Sequence, residues 1–310
     1  MNKLKFTYPV IAASVLLAAM TACFTGIEST PKITDSEIRR QNVRERPEDS
    51  YLSEIKAEPF EKWAQGKKFH VTDNRFSLLL LPSEEKCDSL SGKVIRFVSG
   101  KEVIDLTGNR ILELTFLTDN NNPIRYRTTQ SRATIESTGK LNIPFLVELS
   151  VIEQVREKLL GKTFYVITAN WYDDKLSSFT GRKFIPVKIT DIRPGNEYYS
   201  ALLELIDENG AAFHLFMSVG NDLKTLRSFG SLFSLTDPRK SHPDISDETW
   251  RNIINGRVSS GMTRDECRLA LGAPASIDSR IGYSTIREVW TYENGIYLIF
   301  EDNLLKSFRQ

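Results

Sequence analysis

Apolar residues recur along the chain with two different periods, and each period predicts a different kind of element. Val151, Val155 and Leu159 lie four residues apart, which predicts the buried face of a helix. After Lys162 the apolar and β-branched runs become short, and Gly, Asn and Asp interrupt them, which is typical of strands. Residues 148–236 are therefore predicted to form a helix followed by a small antiparallel sheet.

The same order of elements is predicted once before, because the middle of the chain repeats itself at a nearly constant offset. The repeated pairs are "GKKFHV" at Gly66 with "GKTFYV" at Gly161, "SGKVIRF" near Gly92 with "TGRKFIPV" near Gly181, and "LELTFLTDNNN" with "ALLELIDENG". We predict two β-rich repeats, residues 53–147 and 148–236, each preceded by a short helix. An SH3-like barrel is the hypothesis for the shape of each.

The pattern changes again towards the C-terminus. Residues 237–246 are rich in Pro and charge, which indicates a linker. A helix around Trp250 and a second helix after Gly261 follow. The run "REVWTYENGIYLIFEDNLLKSF" then predicts three strands, and its Asn294-Gly295 pair indicates a type I′ hairpin turn. Residues 247–310 are thus predicted to be a helix pair plus a three-stranded antiparallel meander, and the fold class is α+β.

The second of these helices has strong start and stop signals. Thr263 and Glu266 predict a capping box, and Met262 stands in the staple position before it. Gly272 takes the position where left-handed geometry is usual, and Pro274 prevents the helix from continuing. Each of these residues therefore has a structural role that needs no catalysis to explain it.

The stretch "INGRVSSGMTRDECRLALGAP", followed by "VWTYENGIYLIFEDNLL", resembles the SmpA/OmlA (BamE-like) family of small outer-membrane lipoprotein modules. The resemblance covers residues 247–310, and the rest of the chain does not share it. It implies the fold of that module, an envelope setting and partner proteins in the envelope. The positions that match are Gly256, Val258, Gly261, Met262, Thr263, Leu271, Gly272, Pro274, Trp290, Tyr292, Phe300, Glu301 and Asp302.

The N-terminus predicts export. Lys3 and Lys5 precede the apolar, uncharged run Val10–Ala19, which is too short to span a bilayer and is typical of a signal peptide. We predict that the signal peptide covers residues 1–22.

The signal ends in "MTAC", which resembles a bacterial lipobox. We predict that Cys23 is acylated, that residues 23–52 form a lipidated tether, and that the protein is an outer-membrane lipoprotein facing the periplasm. Several acyl chains give stable attachment, whereas a single chain does not. The alternative is ordinary signal-peptide cleavage that leaves Cys23 free.

Composition and charge narrow the class of protein. Hydrophobic residues make up 40% of the 310-residue chain and the net charge is +1, so the chain can bury cores but has no basic excess that favours nucleic acid. Besides Cys23, the cysteines are Cys87 and Cys267. They could pair in an oxidising compartment, but we favour a buried, apolar Cys267 and a Cys87 in a polar loop.

No motif in the sequence predicts catalysis, a metal or a cofactor. "GKT" at Gly161 is not a phosphate loop, because Arg156 stands where the loop needs its first glycine, so no nucleotide is expected. The three histidines, His70, His214 and His242, lack metal-ligand spacing.

The function predicted from the sequence is that of a non-catalytic, membrane-anchored envelope lipoprotein that acts as a scaffold or protein-interaction module, with outer-membrane assembly or maintenance as its context. The alternative is a lipoprotein that binds a ligand or glycan through its β-repeats. Trp171 and Tyr172, in a predicted loop, are the candidate residues for that alternative. Tyr297, on the strand face opposite Leu298, is the candidate for a protein-binding surface.

Overall fold

A computed structural model describes residues 46–82, 89–139, 141–219, 227–281 and 286–310. The chain divides into two compact units, Met1–Glu45 and Arg46–Gln310, and everything below concerns the second. Cys23, the signal peptide, most of the tether and Cys87 lie outside the described residues. The fold is mixed α+β and rich in antiparallel strands, as predicted, and it includes a sheet that curls into a half-barrel.

The first sheet has five antiparallel strands in the order β4-β3-β2-β1-β5. They are β1 (Lys68–Val71), β2 (Val94–Ile104), β3 (Arg110–Leu117), β4 (Pro123–Ser131) and β5 (Leu146–Glu148). Helix α2 (Arg132–Thr138) connects β4 to β5. One face of the sheet buries a core that includes Phe69, Phe97, Leu114 and Phe116.

The second sheet has seven strands in the order β12-β6-β9-β10-β11-β7-β8. They are β6 (Thr163–Val166), β7 (Asn170–Tyr172), β8 (Ser178–Thr180), β9 (Ile185–Pro194), β10 (Ala201–Asp207), β11 (Ala212–Met217) and β12 (Phe233–Ser234). Helix α3 (Leu149–Leu159) precedes it, and the short helix α4 (Phe229–Leu232) leads into β12. Val151, Val155 and Leu159 are buried in its core, which confirms the predicted face of α3.

The two sheets repeat one plan. Strands β4-β3-β2-β1-β5 of the first correspond in order to β11-β10-β9-β6-β12 of the second, and the β7–β8 hairpin has no counterpart among the described strands of the first sheet. A β-bulge falls at the same place in both, at Val98 in β2 and at Thr190 in β9. The hairpin turns that follow also match, since Asn121 and Gly210 take the same turn position with φ of 61° and 80°. Among the described strands neither order closes on itself, so these are two related open sheets.

One of the predicted sequence pairings is out of register. The amide of Gly92 donates to the carbonyl of Val71, and the amide of Phe184 makes the matching bond to Val166. Gly92 therefore corresponds to Phe184 and not to Gly181. Both residues have positive φ, 79° and 58°, so the second repeat carries an aromatic side chain where glycine is the easier choice.

The segment before the first sheet does not form a helix comparable with α3. It contains one helical turn, α1 (Pro47–Ser50), and a 3-10 turn at Phe60–Lys62 that begins directly after Pro59. Proline removes a backbone donor and restricts its neighbour, which explains the interruption. Leu52 and Ile55 of this segment pack in the core of the second sheet, so the chain crosses the second repeat before it enters the first.

The C-terminal region contains a helix pair and a four-stranded sheet of order β13-β14-β15-β16. The elements are α5 (Asp247–Ile254), α6 (Arg264–Leu271), β13 (Ser276–Ile281), β14 (Ile286–Thr291), β15 (Tyr297–Glu301) and β16 (Leu304–Arg309). The prediction of three strands is wrong, because "SIDSRI" forms an additional edge strand. Ser276–Arg280 are exposed, so β13 lacks the buried alternate positions by which a strand is recognised.

The turns of this sheet also differ from the prediction. At Asn294-Gly295 only Gly295 has positive φ, and the amide of Tyr292 donates to Ile296 across a three-residue loop. The two-residue turn with positive φ at both positions lies instead at Asp302-Asn303, with values of 48° and 75°. Asn and Asp tolerate left-handed geometry, which makes this a good alternative to Asn-Gly.

Candidate functional site

Trp171 does not lie in a binding loop, so this prediction is wrong. It belongs to β7, it is buried, and its ring stacks on Phe213 with the ring centres 3.6 Å apart. Its indole nitrogen donates to the carbonyl of Thr168. A Cβ atom at Gly181 would approach the Trp171 ring to 2.0 Å, so that position must be glycine. Trp171 is a core residue of the second sheet.

Tyr172 lies on the opposite face of β7 and helps to bury a cation. The guanidinium carbon of Arg227 lies 5.4 Å from the ring centre of Tyr172 and 5.6 Å from that of Tyr199. Arg227 also donates to the carbonyl of Phe216 at 2.7 Å. Among the described residues no carboxylate lies within ion-pair distance of Arg227, so the aromatic rings are its electrostatic partners. Sequence reasoning missed this cluster because its members are separated widely along the chain.

His214 is opposite Tyr172 in the strand register and is buried. Its Nε2 atom lies 3.3 Å from a guanidinium nitrogen of Arg193 and 3.9 Å from a carboxylate oxygen of Glu204. Because Arg193 can only donate, Nε2 accepts and the proton of a neutral ring is on Nδ1. That atom has no hydrogen-bond partner among the described residues. Among all the residues that the structure describes, no group of three His, Cys, Asp or Glu side chains could hold a metal ion.

A cleft of about 400 Å³ lies between the first and second sheets. Its walls are mostly apolar and include Trp63, Phe69, Leu146 and Val219. A second cavity of about 280 Å³ shares Leu146 and Val219 and reaches Ser218. The Ser218 hydroxyl is buried and has no hydrogen-bond partner among the described residues. This cleft, and not the Trp171 region, is the concave site of the β-repeats.

The C-terminal sheet carries an unusual share of exposed apolar surface. Large hydrophobic residues are exposed at five of its positions, which are Ile277, Ile286, Tyr297, Leu304 and Phe308. Tyr297 is 39% exposed, and its strand neighbour Leu298 is buried beneath the helices, so the predicted outward parity of Tyr297 is confirmed. They lie on both faces of the sheet: Ile277, Ile286 and Phe308 are on the face of Trp290 and Leu298, and Tyr297 and Leu304 are on the other face.

The strand register explains why apolar residues on the two edge strands are exposed. Ile277, Trp290, Leu298 and Phe308 lie side by side across the four strands. The two central residues are buried, whereas Ile277 is 50% exposed and Phe308 is 37% exposed. In addition, β14 is the one partner of β13 among the described strands, so within that part of the chain the outer backbone groups of β13 are open to a further strand.

The residues that mark the family resemblance join α6 to this sheet. Thr263 and Glu266 form the predicted capping box. The amide of Gly261 donates to Leu305, and Leu305 donates back to the carbonyl of Met262. These bonds fix the start of α6 against β16.

The other end of α6 is fixed by Tyr292, whose hydroxyl donates to the carbonyl of Gly272 at 3.3 Å. Gly272 has φ 88° and ψ −167°, so it ends the helix with positive φ but without the left-handed helical geometry that was expected. Pro274 follows directly. The motif therefore has structural roles throughout.

Cys267 is fully buried on α6, as predicted. Burial, with a smaller contribution from the charge of Glu266, raises the pKa of its thiol to about 12. The thiolate is the reactive form of cysteine, so Cys267 is a packing residue and not a nucleophile.

The second sheet is joined to the C-terminal module by two adjacent residues. The Lys183 ammonium donates to the carbonyls of Leu269 and Ala270, at 2.6 and 2.7 Å, at the end of α6. Phe184 stacks on Trp250 with the ring centres 5.6 Å apart. Burial lowers the pKa of Lys183 to about 8. The module is therefore held to the second repeat by a buried polar contact and an aromatic pair.

Comparison of the chain with protein-family models, with curated proteins and with solved structures returned no match. No helix among the described residues is both long and apolar enough to cross a bilayer.

Proposed function

We propose that this protein is a non-catalytic lipoprotein of the bacterial envelope, attached to the outer membrane through Cys23, whose C-terminal module binds a partner protein. The observation that carries the interaction role is the exposed margin of the C-terminal sheet. Ile277 and Phe308 flank a covered centre, and β13 offers an unpaired strand edge. Exposed apolar patches and open edges of this kind are typical of protein-binding surfaces.

Membership of the SmpA/OmlA family is part of this proposal. Two capped helices followed by an antiparallel sheet, with Trp290 and Tyr292 packed beneath them, support it. The two β-repeats serve as a spacer that holds the module away from the lipid anchor. A role in outer-membrane assembly or maintenance follows from the resemblance.

The anchor is tested by a Cys23→Ala substitution. The wild-type protein should incorporate labelled palmitate in cells and stay with the membrane through a high-salt, alkaline wash. The Cys23→Ala protein should take up no label and be released by the wash, because no acyl chain holds it. A variant that stays membrane-bound through the wash would contradict lipid anchoring at this residue.

The partner surface is tested by a photo-crosslinking residue at Ile277 in cells. A discrete protein adduct is expected at this position, and the adduct should disappear when Phe308→Asp is combined with it. The same crosslinker at Leu160, an exposed aliphatic residue on the second repeat, is the matched control and should give no such adduct. Identical adducts from both positions, or none from Ile277, would count against the module as the binding element.

A second function, the binding of a small ligand or glycan, is favoured by the cleft between the sheets. Its volume is within the range of small-molecule sites. In the adjoining cavity the Ser218 hydroxyl, which has no partner among the described residues, is available to bind a polar group. A thermal-shift screen of glycans and amphiphiles tests it. A genuine cleft ligand should stabilise the wild type more than a Val219→Trp variant, in which the cleft is filled.

A further inference from the structure

The tip of the hairpin between β2 and β3 exposes two large aliphatic side chains. Ile104 is 69% exposed and Leu106 is fully exposed. We refer to residues 104–110 as the β2–β3 tip. Isolated surface leucines are common. Here, however, two large aliphatic side chains are exposed at the end of one hairpin, and no element among the described residues covers them.

The β2–β3 tip is held rigidly by its own hydrogen bonds. One carboxylate oxygen of Asp105 accepts from the amides of Thr107 and Asn109, each at 2.8 Å, and from the Thr107 hydroxyl at 2.7 Å. The amide of Asp105 in turn donates to the carbonyl of Asn109. These bonds lower the pKa of Asp105, with the Thr107 hydroxyl as the main cause. Leu106 is therefore presented outward at little further cost in conformational entropy.

A basic face lies directly behind the tip. Lys101, Arg125 and Arg127 surround Glu113 on the outer face of the sheet, with nitrogen–oxygen distances of 3.1, 3.8 and 2.9 Å. Glu113 is only 2% exposed. Three cations thus face solvent around one buried carboxylate. Arg96, which pairs with Leu117 further along β2, lies on the same outer face. We call Arg96, Lys101, Arg125 and Arg127 the basic band.

Glu113 offsets only part of the positive charge of the basic band. Burial by itself raises the pKa of Glu113, but the bonds from Arg127 and Lys101 outweigh it and the pKa is lowered overall. Glu113 is therefore ionised at neutral pH and neutralises one cation. The remaining positive charge of the basic band is available to an external anion.

We infer that the β2–β3 tip and the basic band dock on an anionic phospholipid surface. Leu106, in the turn itself, enters the headgroup–acyl boundary, and the basic band contacts lipid phosphates. Ile104 lies on the opposite face of β2 from Lys101 and is not part of this contact. Shallow apolar insertion combined with attraction to anionic lipid is a sufficient basis for peripheral binding.

This inference goes beyond the proposed function and is tested without the lipid anchor. The chain from Phe24 to Gln310, which lacks Cys23, is floated with vesicles of phosphatidylcholine alone or with about a third phosphatidylglycerol. It should bind the anionic vesicles, and added salt should weaken the binding because screening acts on exposed charges.

Matched substitutions assign the binding to the tip and the band. Leu106→Ser should lower the vesicle partition coefficient about tenfold, because burial of a leucine is worth at least that factor. Leu78→Ser changes another highly exposed leucine of the same repeat and should have no effect. Arg125→Gln, which leaves the two closer ion pairs of Glu113 intact, should weaken anionic binding several-fold, whereas Arg309→Gln should not. Circular dichroism verifies that all variants are folded.

Three results would overturn the inference. They are equal binding to neutral and anionic vesicles, Leu106→Ser behaving like Leu78→Ser, and a photo-crosslinker at Leu106 that labels a protein instead of lipid in cells. The vesicle assay does not depend on acylation of Cys23 or on a partner bound at Ile277. Its failure would therefore not contradict the lipid anchor or the C-terminal partner surface.

Discussion

The hairpin tip between β2 and β3 stands free in the first repeat, whereas the corresponding tip between β9 and β10 is tied to the first repeat by an ion pair. In the second tip Glu197 lies 2.8 Å from Arg75. The outer faces differ in the same way. The first has three cations around Glu113, and the second has the rings of Tyr172 and Tyr199 over Arg227. Equivalent backbones thus present different chemistry to their surroundings.

The difference shows which positions a repeat can change. Backbone hydrogen bonds, the bulge and the positive-φ turn positions are kept, because the sheet cannot form without them. Outer-face residues contact solvent or a neighbouring element, so they can diverge. The clearest case is Gly92 and Phe184, which share a backbone position, although only Phe184 packs on another module.

The largest expected effect concerns the β7–β8 hairpin of the second repeat, which has no counterpart among the described strands of the first. Trp171→Ala should lower the free energy of unfolding by about 3–5 kcal/mol, because it removes a buried aromatic side chain. Tyr172→Ala, one residue away on the other face, should cost about 1–2 kcal/mol. Urea denaturation measures both. If Tyr172→Ala were the more damaging of the two, the assignment of Trp171 to the core would be refuted.

The next effect concerns Lys183, which has no counterpart contact in the first repeat. Its pKa is about 8 when folded, against 10.5 for the ordinary side chain. Between these values the unfolded state binds more protons, so stability should rise with pH across pH 8 to 10.5, by at most about 3 kcal/mol. Below pH 8 this contribution is absent.

A Lys183→Met variant isolates this effect from other groups. Tyr292, whose pKa burial raises to about 12, acts in the opposite direction at high pH. The difference in stability between wild type and Lys183→Met should therefore be followed from pH 7 to 10. A difference that does not change with pH would exclude a titrating Lys183.

A smaller effect is expected when equivalent outer-face residues are exchanged. Glu113 and Leu202 occupy the same position in the two repeats. Leu202→Glu should cost about 2 kcal/mol, because it places a carboxylate at a buried position opposite Arg193, whose charge is already paired with Asp191 and Glu204. Glu113→Leu should change stability by less than about 1 kcal/mol, because the freed cations remain hydrated.

The pH dependence of the Glu113→Leu variant provides a second measurement. Since the folded pKa of Glu113 is depressed, its contribution is present at neutral pH and is lost as the pH falls below the ordinary glutamate value. Wild type should lose more stability on acidification than Glu113→Leu. Equal losses would show that the carboxylate is not held by its neighbours.

The smallest effect is expected at the hairpin tip between β9 and β10, which the Glu197–Arg75 ion pair joins to the first repeat. Glu197→Gln removes the partner of Arg75, and exposed ion pairs contribute little to global stability. The melting temperature should stay the same, while amide hydrogen exchange at Tyr198 and Tyr199 should become faster. Exchange in the β2–β3 tip is the internal control, and a change there would contradict the independence of the two tips.

Much of the architecture could be predicted from local pattern. The buried face of α3 and the capping box of α6 depend on residues close in sequence, and both are confirmed. The repeat predicted from recurring strings stays a prediction, which the matching strand orders support. Strand β13 was missed because it is exposed on both faces. The Gly92 pairing was misplaced because a glycine-based comparison cannot anticipate an aromatic residue at positive φ.

The candidate sites were harder to predict than the fold. Trp171 beside Tyr172 and a polar turn suggested an exposed pair, yet alternation along one strand places them on opposite faces. The cluster around Arg227, the cleft at Ser218 and the basic band each combine residues from distant strands. Sequence spacing contains no information about such groupings until the strand order is known.

By itself the sequence determined the α+β class and the ends of the C-terminal helix, because backbone hydrogen bonding and side-chain periodicity act over a few residues. The signal peptide and Cys23 acylation remain predictions of the same local kind. Tertiary structure alone decided which aromatic residues are core, where Lys183 and Phe184 dock the module, and which surfaces stay bare. Burial and charge pairing depend on the packing of residues that are far apart in the chain, and only the folded chain brings them together.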